Sequence, residues 1–76
     1  MSRIKGVTPL ENYRLEIVLD NGSEIILNLA SRLQTVRFNM LSDREFFKKA
    51  ATDGICITWE GKIEISVNEI FQLAQK

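Results

Sequence analysis

Histidine is absent from these 76 residues, while cysteine, proline and tryptophan occur once each and glycine four times. Without histidine there is no Ser-His-Asp triad, no Cys-His pair, no imidazole metal ligand and no imidazole pH switch. The single cysteine, Cys56, excludes an intramolecular disulfide and a multi-cysteine zinc site. A small domain without such staples fits a reducing cytosol. The start Met1-Ser2-Arg3-Ile4-Lys5-Gly6 lacks the apolar run of a secretory signal. Nothing approaches the roughly 18 consecutive apolar residues of a membrane-spanning helix. Net charge is missing too: ten Lys and Arg balance ten Asp and Glu. A neutral chain has no general attraction for nucleic acid or anionic membranes. There is no repeat, no low-complexity tract and no linker.

What is present is the composition of one soluble domain spanning residues 1–76, with 45% hydrophobic and 26% charged residues. That is too apolar, at zero net charge, for a disordered chain. At this length only about 60% of the unfolded surface is buried on folding, so the core is modest.

Tyr13, Leu15, Ile17 and Leu19 alternate with Arg14, Glu16 and Val18, the pattern of a half-buried strand. Beyond Asp20-Asn21-Gly22, Ile25, Leu27 and Leu29 alternate with Glu24, Ile26 and Asn28. A two-residue loop would split the apolar sets across both faces. A three-residue loop, Asp20 to Gly22, pairs Ile17 with Ile25, Leu15 with Leu27 and Tyr13 with Leu29, and puts Gly22 where a left-handed residue is needed. Downstream, a Trp59-Glu60-Gly61 loop pairs Ile57 with Ile63 and Ile55 with Ile65, leaving Trp59 half exposed at the turn. Pro9 marks a turn between two short strands.

Two capping-box spacings predict helices. Ser42-Asp43-Arg44-Glu45, with Ser42 as cap, opens a short helix through about Ala50. Ser66-Val67-Asn68-Glu69 opens the last helix, with Val67, Ile70, Phe71 and Ala74 as its apolar stripe. Residues 30–41 have no clear period. The expected architecture is α+β: an antiparallel sheet of four to five strands, built from two hairpins, with two short helices.

The ordered set Arg37-Phe38, Leu41, Asp43, Phe47, Ile55-Cys56-Ile57-Thr58-Trp59 and Glu64-Ile65 resembles a bacterial family catalogued as domain of unknown function twenty-four forty-two. Glu64 stands where relatives usually carry aspartate, and Val67 where proline often starts the last helix. The resemblance covers almost the whole chain. It implies an α+β bacterial domain with no established activity and no catalytic residues to carry over. Some longer relatives append a helix-turn-helix, which this chain is too short to hold, and some family genes resemble partners in toxin-antitoxin-type pairs.

Candidate chemistry is sparse. Glu60 with Glu64, and Glu16 with Glu24, read as solvated carboxylates rather than an acid-base pair in a cleft. The glycine turns open no helix and cradle no phosphate. Cys56 has no basic residue within two positions to activate it. Basic residues are uneven: residues 32–49 hold five against two acidic ones, while residues 50–76 hold two against four. Val18, Ile26 and Cys56 fall on outward strand faces, so either a helix covers them or they serve association.

These observations predict a cytoplasmic, non-catalytic protein-interaction module, antitoxin-like in the sense of partnering a small neighbouring protein. Its expected contacts are Trp59, Arg37, Arg44 and Lys48. A protein partner or self-association is expected, with no cofactor, no metal, no small-molecule substrate and no membrane. The alternative is a nucleic-acid-binding regulator that uses residues 32–49.

Overall fold

The alternating segments become strands, and their pairing follows side-chain parity. In the computed structural model, which describes residues 3–74, β1 (Ile4–Leu10), β2 (Arg14–Leu19) and β3 (Glu24–Asn28) form one antiparallel sheet in that order. Residues Ala50–Thr52 (β4), Cys56–Trp59 (β5) and Ile63–Ser66 (β6) form a second. Two short helices, α1 (Arg44–Phe47) and α2 (Val67–Ala74), complete the α+β fold. The four to five strands expected in one sheet are thus six strands in two three-stranded sheets among the described residues.

The first hairpin has the expected register, with Ile17 opposite Ile25 and Leu15 opposite Leu27. Gly22 takes φ +89° in its loop, and its N–H donates to the Leu19 carbonyl at 3.0 Å.

The second hairpin is displaced from the expected register by two residues. Ile57 faces Ile65 and Trp59 faces Ile63. Both registers keep the isoleucines on one face, so parity cannot separate them. Trp59 decides, because it shares the parity of Ile57 and its indole is the largest apolar surface available for burial. Trp59 is therefore 0% exposed, not half exposed at a turn. The loop moves to residues 60–62, with Glu60 (φ 55°) and Gly61 (φ 73°) both left-handed.

The cap of α1 is Asp43, whose carboxylate accepts the Glu45 N–H at 3.0 Å; Ser42 instead donates its hydroxyl to the Asn39 carbonyl. The helix stops at Phe47, not near Ala50. One turn suffices to bury both Phe46 and Phe47, and the following residues pair with β5, Ala50 opposite Trp59. Tertiary pairing here overrides a helical propensity.

At α2 the expected capping box is complete. Ser66 Oγ accepts the Glu69 N–H at 3.2 Å, and Glu69 Oε1 accepts the Ser66 N–H at 3.5 Å. The inward stripe is Val67, Ile70 and Leu73, whereas Phe71 is 38% exposed.

Residues 30–41 resolve into 3₁₀ turns at Ala30–Arg32 and Asn39–Ser42, burying Phe38 and Leu41 and exposing Val36. Both sheets, α1, α2 and this segment share one core. Among the described residues no helix covers Ile26, which lies on the outward face of the first sheet and is 51% exposed. Val18 and Cys56 are half-buried.

Candidate functional site

A tight turn at Glu11–Tyr13 joins β1 to β2 and holds two successive left-handed residues, Asn12 (φ 64°) and Tyr13 (φ 59°). Asparagine tolerates this conformation, but a bulky side chain there costs about 1–2 kcal/mol. Tertiary contacts of Tyr13 offset the cost. Its ring packs edge-to-face on Phe47, with centroids 5.4 Å apart, and its hydroxyl donates to the Ser42 carbonyl at 2.6 Å. The turn is thereby pinned against α1.

Between the turn and α1 lies a cleft of about 420 Å³, lined by Pro9 to Tyr13, Arg44, Phe47 and Lys48. Arg44 and Lys48 are four residues apart, so successive turns of helix bring them to one wall. Glu11 is the one acidic lining residue. Lys48 Nζ is 3.7 Å from Glu45 Oε2, but both side chains are largely exposed and that pair is weak. Arg44 makes no salt bridge among the described residues. The cleft therefore sets two cations beside the half-buried ring of Tyr13, with Phe47 buried beneath it.

The other two expected contact residues lie elsewhere. Arg37 forks onto the Glu69 carboxylate, with Nη2 donating to Oε1 at 2.9 Å and also to the Glu64 carbonyl at 2.7 Å. That contact holds the Glu69 carboxyl below the usual carboxylate range and raises Arg37 further. Arg37 is thus tied to the first turn of α2. Trp59 is interior, its indole N–H donating to the Phe47 carbonyl at 3.0 Å, and so offers no surface for contact, whereas the Arg37 side chain is half exposed beside its ion pair.

A shallower depression of about 540 Å³ is lined by Arg37, Cys56, Lys62, Glu64 and Glu69 among others. Burial pushes the Cys56 thiol up, and the nearby carboxylates of Glu64, Asp53 and Glu69 add to this. That environment keeps a thiol protonated and poorly nucleophilic. Among the described residues, no group of three or more His, Cys, Asp or Glu side chains could hold a metal ion.

A family model described as a protein of unknown function, DUF2442, matches residues 4–76. The chain belongs to that family. No curated protein and no solved structure matches it. In this DUF2442 domain most of the residues that carry the resemblance hold the fold together, although Ile55 is 56% exposed and Glu64 is exposed as well. Phe38, Leu41, Phe47, Trp59 and Ile65 are core, Asp43 caps α1, and Arg37 ties α2 to the Glu64 carbonyl. Sequence reasoning missed the wall formed by Pro9 to Tyr13, because no local signal marks a tyrosine for the left-handed region. It also missed Glu69 as the partner of Arg37, although its place in a capping box fixed it at the start of α2.

Proposed function

We propose that this DUF2442 domain is a non-catalytic cytoplasmic module that binds an acidic segment of a protein partner in the cleft between the Glu11–Tyr13 turn and α1. The observation that carries this reading is the pairing of Arg44 and Lys48 in the lining of a cleft whose one acidic residue is Glu11. Apolar contact with the half-buried Tyr13 and with Pro9 and Leu10 supplies affinity, and the two cations set orientation and on-rate. An antitoxin-like pairing with a small neighbouring protein is one form of the same role. The nucleic-acid reading draws less support. Of the five cations in residues 32–49, Arg37 and Lys49 are paired with Glu69 and Glu60.

The test is capture by the immobilised chain from the native host's lysate, beside an Arg44→Glu, Lys48→Glu variant. The expected result is a stoichiometric protein whose recovery drops at least tenfold with the variant and at high salt. No such protein, or equal recovery by the variant, overturns the reading. Binding of mixed DNA or RNA at low salt, lost steeply as salt rises, would transfer the site to the alternative.

A further inference from the structure

Strand edges invite pairing, and folded proteins blunt them with bulges, proline, charge or cover. The edges in this chain differ in that respect. β1 carries a register irregularity between Ile4 and Gly6 and holds Pro9, and its Ile4 N–H donates to the Gly54 carbonyl at 2.8 Å. β4 has only three residues, and β6 has four and runs directly into α2. β3, Glu24-Ile25-Ile26-Leu27-Asn28, has no bulge, proline or lysine.

The hydrogen-bond phase of β3 is fixed by its neighbour. The Leu19 N–H donates to the Ser23 carbonyl and the Leu29 N–H to the Tyr13 carbonyl, at 2.8 and 2.9 Å. In the alternating pattern of an antiparallel pair, Ile25 and Leu27 therefore bond inward to β2, while the backbone groups of Glu24, Ile26 and Asn28 point off the sheet. No backbone partner for those three is found among the described residues. α2 packs against β3, yet Glu24, Ile26 and Asn28 all stay exposed.

The three free positions are symmetric about Ile26. We propose that β3 is a self-association edge, pairing antiparallel with β3 of a second copy about a two-fold axis at Ile26 to join the two first sheets into one of six strands. That register sets Ile26 against its own counterpart and Glu24 against Asn28, so no like charges meet. It forms six backbone hydrogen bonds, two at Ile26 and two at each Glu24–Asn28 pair. The outward row from Glu24 then crosses Asn28 to Arg14 of the second copy, since Arg14 is paired with Asn28 within each sheet. Two strand spacings, roughly 10 Å, separate those opposite charges. Ile26, half exposed in the single chain, is buried against its counterpart.

Light scattering of the purified full chain across a hundredfold concentration range tests this, beside Ile26→Pro and Ile26→Lys. Proline removes the one outward N–H without touching the β2 ladder, and lysine guards the edge should proline disturb folding. The expected result is a dimer whose dissociation constant rises at least tenfold in either variant, with unchanged circular dichroism. In the wild type, the amides of Glu24, Ile26 and Asn28 should lose their protection from exchange on dilution. A wild type that stays monomeric to millimolar concentration, or a dimer insensitive to both variants, overturns the proposal. The Arg44→Glu, Lys48→Glu variant should leave the mass unchanged, which separates this proposal from the cleft reading.

Discussion

Replacing Trp59 with phenylalanine measures how much of this small fold rests on one side chain. The indole is 0% exposed, stacks on Phe47 at 6.3 Å between centroids and donates to the Phe47 carbonyl at 3.0 Å. Phenylalanine retains most of the apolar area but no donor. A buried carbonyl left without its partner costs about 1–3 kcal/mol, and the smaller ring adds roughly 1 kcal/mol of lost packing. The expected destabilisation is about 2–4 kcal/mol. A chain of this length has a total of about 4–11 kcal/mol, which exceeds that loss over most of its range, and the variant melts about 10–30 °C lower. Urea and thermal unfolding followed by circular dichroism give the magnitude. Acrylamide quenching of the wild type, whose fluorescence comes from this one tryptophan, gives the burial independently. A loss below 0.5 kcal/mol together with ready quenching would show a solvent-facing tryptophan and refute the reasoning.

Ser66→Ala removes the hydroxyl that accepts the Glu69 N–H at the start of α2, and should cost about 1 kcal/mol in urea unfolding; no change would mean that the cap does not hold the helix. Acid should destabilise the fold in a defined window. Arg37 and the Ser66 N–H lower the Glu69 carboxyl, and the Cys56 and Ile55 N–H groups lower Asp53. Folded values below the unfolded ones give stability that is present above about pH 4.5 and is lost as pH falls through the folded values. Thermal melts from pH 7 to 2.5 should show this loss, and a slope unchanged by Glu69→Gln with Asp53→Asn would refute its assignment. Glu60→Asn places asparagine at φ 55° before Gly61, a pair suited to left-handed turns. It gives up only the exposed Lys49 contact at 3.0 Å, so stability should rise by about 0.5 kcal/mol; a lower melting temperature would assign more to that ion pair than its exposure allows.

Legibility in the sequence tracked how local each determinant is. The first hairpin was readable to the residue, because a one-place slip would have turned Leu15, Ile17, Ile25 and Leu27 out of the core. The box at Ser66 was readable because both partners lie within one turn. The second hairpin was not, since a two-place slip preserves every face and only the burial of Trp59 chooses between registers. Asp43 displaced Ser42 as cap because both have suitable side chains and adjacent positions, and the chain direction out of the Asn39–Ser42 turn settles which one faces the helix. Arg44 and Lys48 were legible only as members of a basic set with Arg37, which the fold places elsewhere. Their opposite wall was not, because the left-handed Tyr13 is held by Phe47 and the Ser42 carbonyl, 34 and 29 residues away in the chain. The placement of Arg37 on Glu69 is non-local in the same way, at a separation of 32 residues.

Most of the residues that carry the family pattern are spent on folding, and the cleft and the β3 edge are built mainly from residues outside it. The two are neighbours in the fold but not competitors. The Leu29 N–H bonds to the Tyr13 carbonyl, so the cleft's turn stands beside the Asn28 end of β3. Ile26 is three residues from Leu29, about 10 Å along the strand. A two-fold axis at Ile26 sends the two clefts to opposite ends of a joined sheet, each open, so a dimer would present two docking sites facing apart. Occupancy of one surface then has no steric reason to disturb the other. Arg44→Glu, Lys48→Glu and Ile26→Lys should therefore combine additively, to within about 0.5 kcal/mol, in both partner binding and dimerisation. A larger coupling would mean that a partner spans the turn and the edge together, and that β3 pairs with that partner's strand instead of its own copy.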